Sequence, residues 1–349
     1  MEAFLKKIEL KFITPGQTSR GTLYTKPSWF LILQDGDRTG VGECSVIPGL
    51  NPEYDETYQD RLNQLVKQIN QGNLPSLSSL DPLPSIRFGL EMALTDLKHN
   101  PCGVLFPSDF TLGKAGIPIN GLIWMGSREE IEQRISDKLE QGFRVLKLKV
   151  GALDFAEEIV LIKNIRSRFS TTELEIRLDA NGAFSPENAL EKLERLAEYH
   201  IHSIEQPIKP GRWDEMSNLC RKSPIPIALD EELIGLHSSV EKLKLLEYIR
   251  PRYIILKPSL VGGFEKSEEW IDAAKATDTG WWATSALESN TGLSAIAQWV
   301  YTLKPNNVQG LGTGGVFSNN LPSPVYLQNS TLFFDAGKSK TDASYWKSF

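Results

Sequence analysis

The sequence predicts an α/β protein in which a (β/α)7β barrel is covered by a smaller N-terminal α+β domain. Three observations predict it. Eight short apolar runs recur between residues 117 and 314, amphipathic stretches of helical period separate them, and five consecutive runs end in charged side chains. Short runs rich in β-branched and aromatic residues, bounded by Gly, Pro, Asn or Ser, read as buried strands.

The first unit spans residues 1–112. LKKIELKF, WFLILQDG and RTGVGECSV read as a strand meander, and ETYQDRLNQLVKQINQG as a helix. A second helix, SIRFGLEMALTDLKH, follows the turn at Pro82 and Pro84. Segments 14–30 and 46–54 carry the Gly, Ser and Pro content of mobile connections, and are expected to cover the barrel mouth.

The barrel occupies residues 113–319. Its strands are IPINGLI (117–123), RVLKLKV (144–150), LEIRLDA (174–180), IHSIEQP (201–207), IPIALDE (225–231), YIILKPS (253–259), GWWATSAL (280–287) and VQGLGTG (308–314). Equivalent positions near successive strand ends lie 25 to 30 residues apart, the length of one βα unit. Eight in a row close into a modified TIM-type barrel; the alternative, an open doubly wound sheet, fits an unbroken count of eight less well. Ser127 with Glu130 forms a capping box, Ser185-Pro186 reads as N-cap and N1, and Gly142 stops a helix. The stretch FSNNLPSPVY is loop-like, so no eighth helix follows. The tail, 320–349, holds one strand pattern, STLFFDAG, and is expected to pack back on the capping domain.

A net charge of −6 without any block of Lys or Arg argues against nucleic acid or an anionic membrane as partner. No apolar run approaches the roughly 18 residues of a membrane span. MEAFLKKIEL lacks the pattern of a secretory signal, so a cytoplasmic location is expected. Cys44, Cys102 and Cys220 are scattered without a CxxC pair, and each reads as a free buried thiol.

Charged residues at the C-terminal ends of barrel strands form the active site of such folds. Here they are Lys147 and Lys149, Asp179, Glu205, Asp230 and Lys257. The three carboxylates offer oxygen only, which suits Mg2+, with Mn2+ as a substitute. Asn181 and Glu231, just beyond two of them, are candidates to support those ligands. Lys147 and Lys149 are two apart and face the same way, while Leu146 and Leu148 face the helices. A neighbouring ammonium and a nearby metal ion both disfavour the charged form, so lowered lysine pKa values are expected. Lys257, across the barrel, completes an acid/base pair around a small-molecule carboxylate substrate.

LKLKV, RLDANGAF, IEQP, LDEE and LKPSLVGG, in that order, resemble the enolase superfamily and its muconate-cycloisomerase subgroup. The likeness covers almost the whole chain. It implies Asp179, Glu205 and Asp230 as magnesium ligands, Lys149 as the proton-abstracting base, Lys257 as its partner and Lys147 as an electrostatic aid. GECSVIPGL, SALESNTG and GLGTGGVF resemble a dehydratase branch of that subgroup. They imply substrate contacts at Ser285, Glu288, Ser289, Gly312 and Thr313, with a departure at Ala286, where a second small polar residue is expected. The implied reaction removes a proton beside a carboxylate and then expels water. Two opposed lysines would equally serve a dipeptide epimerase, an N-acylamino acid racemase or a muconate cycloisomerase, and a non-catalytic binding protein is a remote alternative. Against the dipeptide epimerase, GLGTGGVF has no Asp-x-Asp to hold an amine. Self-association into a homo-oligomer stays open.

Gly310-x-Gly312-x-x-Gly315 matches a dinucleotide pattern, but the expected helix is missing, so it reads as a carboxylate- or phosphate-binding turn. His200 and His202 are expected in packing or at the surface, and Trp281-Trp282 in the core.

Overall fold

The computed structural model describes residues 1–18, 21–99, 103–124, 126–338 and 345–346. Alternating apolar residues in the first 45 positions build three antiparallel strands, β1 (Glu2–Thr18), β2 (Gly21–Asp35) and β3 (Arg38–Ser45). The segment expected as a loop at 14–30 is therefore largely strand. β1 and β2 pair almost to their tips, with a register shift between Lys11 and Gly16. Helix α1 (Tyr58–Asn70) packs on this sheet through Tyr58, Leu62, Leu65 and Ile69.

Helix α2 (Pro84–Leu97) is buried along almost its whole length, between this sheet and the barrel. Bare backbone permits that approach: a Cβ on Gly42 would lie 1.8 Å from the Gly89 carbonyl oxygen, and one on Gly89 would lie 2.3 Å from Cys44 Sγ.

IPINGLI divides in two. β4 (Ile117–Pro118) belongs to a separate small sheet, and β5 (Gly121–Ile123) enters the barrel sheet. That sheet continues with β6 (Val145–Lys149), β7 (Glu175–Asp179), β8 (Ser203–Glu205), β9 (Ile227–Leu229), β10 (Tyr253–Leu256) and β11 (Gly280–Ala283), seven parallel strands in chain order. The intervening helices are α3 (Arg128–Glu140), α4 (Phe155–Arg168), α5 (Pro186–Ala197), α6 (Trp213–Lys222) and α7 (Ser239–Ile249). A short α8 (Pro258–Val261) precedes α9 (Phe264–Ala276), and α10 (Asn290–Thr302) follows β11. Both halves of the Ser127–Glu130 capping box form, and Gly142 takes φ +85° after α3.

Among the described residues, the curled sheet closes through residues 309–310. Asn120 N donates to Gln309 O at 2.9 Å on one side, and Gly310 N donates to Ala283 O at 2.8 Å on the other. The Gln309 side chain accepts from Ala283 N at 2.9 Å, a ladder bond supplied by an amide side chain. The eighth strand is this short because glycines interrupt it.

The tail divides as well. β12 (Val325–Gln328) and β13 (Thr331–Phe334) form a hairpin that pairs with β4, on the barrel and not on the cap. Trp346 does reach the cap, its ring 5.1 Å from that of Phe30. Cys44 is buried and Cys220 half-buried, both as free thiols, with burial pushing the Cys220 thiol up to about 12; Cys102 lies outside the described residues. Among the described residues no helix is long and apolar enough to cross a membrane.

Candidate active site

Strand pleating brings the charged residues together. On β6, Leu146 and Leu148 are buried against the helices, which turns Lys147 and Lys149 inward. Lys147 Nζ lies 2.6 and 2.7 Å from the two oxygens of Glu205 and 2.9 Å from Asp179 Oδ2. Lys149 Nζ donates to the same Asp179 oxygen at 2.9 Å and to Asn181 Oδ1. Across the barrel, Lys257 Nζ donates to Asp230 and lies 3.9 Å from Glu205 Oε1. Asp179, Glu205 and Asp230 are 1–3% exposed, so this is an ionic cluster withdrawn from solvent.

The carboxylates dominate its electrostatics. Burial would lower the Lys147 pKa, but Asp179 and Glu205 outweigh it and the pKa rises. Burial likewise acts against the charge on Lys257, and Asp230 and Glu205 raise its pKa well above the ordinary lysine range. The lowered value expected from sequence is thus reversed at Lys147, because its ammonium sits beside two carboxylates. Burial would raise the Asp179 carboxyl, yet Lys147, Lys149 and Lys257 hold it well below the usual range. Burial and the Asp179 charge push Glu205 up.

Asn181 and Glu231 do join the cluster. Asn181, at φ +43°, donates to Glu231 Oε1 at 2.9 Å while its own amide N–H donates to Asp179 Oδ1. Sequence reasoning missed Gln206, also at positive φ. Its side chain accepts from Asp230 N at 3.1 Å and donates to Ile208 O and to Glu232, each at 3.0 Å, which fixes the turn carrying Asp230.

Above the cluster is a cavity of about 160 Å3. Lys147, Lys149, Asp179 and Lys257 form its ionic wall, and Leu23, Ile47, Pro48 and Leu50 of the cap form an apolar roof. Ser285, Gly312 and Thr313 line it, whereas Glu288 and Ser289 do not. Glu288 is wholly buried, taking the Ser285 hydroxyl at 2.6 Å and the Ala286 N–H at 2.7 Å. Ser289 caps α10 and donates to Glu43 of β3 at 2.6 Å. Both of these expected substrate contacts thus stand outside the cavity lining, with their side chains bonded to neighbours. Ser285 Oγ also accepts from Thr313 at 2.7 Å and from Leu287 N at 3.1 Å, so its hydroxyl is saturated. Asn120, Thr284 and Trp124 line the cavity too. Asn120 could have been found as a polar residue at an inward position of a strand end.

The other singled-out residues lie lower. His202 stacks on Tyr253 at 5.4 Å, and Trp282 lies under Arg177 at 4.5 Å, both within the packed base of the barrel.

The donor chemistry at the mouth, three carboxylates at the ends of β7, β8 and β9, fits a hard divalent cation. Their oxygens are turned onto lysine ammoniums, and among the described residues no three His, Cys, Asp or Glu side chains converge into a ready cage.

Fold and mouth together define a capped α/β-barrel enzyme. Residues 130–318 match the family described as enolase C-terminal domain-like, and residues 18–97 match the MenC N-terminal domain. An o-succinylbenzoate synthase from Desulfotalea psychrophila is 45% identical, over 95% of this chain and 98% of its own length. The crystal structure of MenC from the same organism superimposes with a TM-score of 0.86 at 42% identity, covering 95% of this chain and 99% of that one. A dipeptide epimerase from Enterococcus faecalis, crystallised with Mg and the dipeptide L-Leu-L-Tyr, superimposes at 0.79 over 95% of this chain and 96% of that one. At 18% identity it shares the fold alone. The chain belongs to the enolase superfamily and, within it, to the o-succinylbenzoate synthases.

Proposed function

We propose that the chain dehydrates 2-succinyl-6-hydroxy-2,4-cyclohexadiene-1-carboxylate to 2-succinylbenzoate, a step of menaquinone biosynthesis, with Lys149 as the acid/base group. The observation that carries the assignment of roles is that Lys149 and Lys257 line one cavity, with Asp179 between them on the ionic wall.

The chemical difficulty is the weak acidity of a proton beside a carboxylate. Asp179, Glu205 and Asp230 would hold Mg2+, or Mn2+ in its place. When bound, that ion supplies positive charge to the substrate carboxylate as it gains electron density. Lys149 takes the proton from C1. Lys257, kept cationic by Asp230 and Glu205, stabilises the negative charge from the opposite side. The electron pair from the C1–H bond enters the ring as the C6–O bond breaks, and its own pair leaves with oxygen. Lys149 returns its proton to that oxygen, giving one water and an aromatic ring. Lys147 bridges Asp179 and Glu205 and offsets their mutual repulsion, and Asn181 orients the Lys149 amine.

Opposed lysines also suit racemisation, but the cavity-lining segment at residues 310–313 has no carboxylate to hold an amine. The test is direct. Purified protein with Mg2+ should aromatise the cyclohexadiene, followed by ultraviolet absorbance, and lose that activity in chelator. Absence of turnover by metal-loaded, folded protein would refute the reading.

A further inference from the structure

Among the described residues, two that line the cavity carry a side-chain oxygen with no partner. Asn120 Oδ1 and Thr284 Oγ1 are buried and take part in no hydrogen bond. Their residues are 3% and 4% exposed and both line the catalytic cavity. Buried polar atoms are nearly always hydrogen-bonded, so two unpaired ones on residues that line one cavity call for a partner. Neither belongs to the lysine–carboxylate cluster.

The strands explain their position. Asn120 immediately precedes β5, which pairs with the lysine strand β6, Gly121 lying opposite Leu146. Thr284 follows β11, and its amide donates to Leu256 O at 2.8 Å, which sets it beside Lys257. The closing segment passes between them, paired to Ile119 through Gln309 and to Thr284 through Gly310. That segment is bare where it matters. A Cβ on Gly310 would lie 2.3 Å from Thr284 Cγ2, and one on Gly312 would lie 3.2 Å from the Asn120 carbonyl oxygen. Two neutral polar side chains therefore flank side-chain-free backbone, on a wall that also adjoins both lysine strands.

We propose that Asn120 and Thr284 hold the hydroxyl group that leaves the substrate, and the water it becomes; this rests on the function proposed above. Asn120 Oδ1 can only accept, so its partner must bring a hydrogen. The substrate carries two carboxylates, a ketone and one hydroxyl, and at neutral pH only the hydroxyl brings one. Thr284 can donate to the same oxygen, which gives it two neutral partners while the C–O bond is intact. As that bond breaks its electron pair stays on oxygen, the proton arrives from Lys149, and the water formed keeps both contacts. A charged partner would be a worse choice here, because it would compete with the carboxylates for the metal or with Lys149 for the proton.

The experiment compares turnover with product binding in Thr284→Val and Asn120→Leu proteins, both close to isosteric. The product, 2-succinylbenzoate, keeps both carboxylates and the ketone but lacks the hydroxyl. The expected result is a fall in kcat/KM of roughly tenfold or more for each variant, with product Kd by calorimetry within about twofold of the parent. Thr284→Ser, which restores the hydroxyl, should recover turnover. A product Kd that weakens in step with kcat/KM would place the ketone at this site and overturn the proposal, and unchanged kcat/KM would overturn it too. If Asn120→Leu does not fold, Thr284→Val and Thr284→Ser carry the same comparison. A parent protein that binds product but does not turn over substrate would instead defeat the functional reading, and is seen in the control before any variant is measured.

Discussion

Lys147 and Lys149 stand two residues apart on one strand, yet their surroundings differ. Both line the cavity, but Lys147 is 7% exposed and bridges Asp179 and Glu205, while Lys149 bonds Asp179 and Asn181. Lys149→Ala should lower turnover by at least about 10²–10⁴-fold, the usual contribution of a positioned acid/base group, with the fold intact by circular dichroism. Retention of more than a tenth of parental activity would move the base elsewhere. Lys147→Met has a second consequence. It leaves Asp179 with Lys149 alone and Glu205 with no ammonium nearer than that of Lys257 at 3.9 Å, and removing one partner of a buried pair costs about 3–5 kcal/mol. Metal-free Lys147→Met should melt well below the parent, and added Mg2+ should narrow the gap. A gap that Mg2+ leaves untouched would argue against these carboxylates as its ligands.

Among elements, the joint between α2 and α9 ties the cap to the strand end that carries Lys257. Gly263 begins α9 without a side chain of its own, and Glu91 of α2 caps it instead. Glu91 accepts from Phe264 N at 2.7 Å and Glu265 N at 2.9 Å. Burial raises the Glu91 pKa to about 7, against the opposing pull of those two N–H groups and of Arg87. A carboxyl with a raised folded-state pKa favours the protonated form, so its stabilisation is full at pH below about 4.5 and is lost as pH climbs through about 7. The parent should therefore lose stability relative to Glu91→Gln between pH 5 and 8, by at most about 3 kcal/mol. Urea midpoints across that range measure it, and a difference independent of pH would contradict it. Gly263→Ala should also destabilise, since φ is +108° and its Cβ would meet Glu91 Oε2 at 1.9 Å.

Over the whole molecule, cap and barrel share buried polar contacts and not only apolar surface. Glu43 of β3 accepts from Ser289 N, Ser289 Oγ and Gly292 N at the start of α10, and from Ser28 Oγ within the cap sheet. Lys26, wholly buried nearby, donates to Ser28 and Ser45. Glu43→Ala strands four donors, so a loss of at least about 3 kcal/mol is expected. Thermal melts of the parent should show one transition, because neither part can release the other without exposing these groups. Two separated transitions in the parent would show the joint to be weak. The roof is built from Leu23, Ile47, Pro48 and Leu50 of the cap, and it is expected to set substrate preference. Exchanging segments 14–30 and 46–54 for those of a dipeptide epimerase should change substrate preference, measured as the kcat/KM ratio for the two substrates.

Local periodicity made the barrel readable in the sequence. Apolar runs spaced by one βα unit dictate parallel strands, and pleating alone turns Lys147 and Lys149 to one face. Consecutive strand ends then bring Asp179, Glu205 and Asp230 into one mouth, so the identity of the charged cluster was legible in one dimension. What pairs with what was not. Whether a lysine pKa rises or falls depends on which charge is nearest, and that is a distance between strands, invisible along the chain. Ser285, Glu288 and Ser289 stood together in one motif of the resemblance, and only packing revealed that Glu288 and Ser289 spend their hydrogen-bonding capacity on neighbours. Asn120 and Thr284, 164 positions apart, became a pair only when residues 309–310 closed the sheet between them. The sequence determined which groups could do chemistry; tertiary contact decided which were left free to do it, because a buried polar atom is available only if no neighbour has already satisfied it.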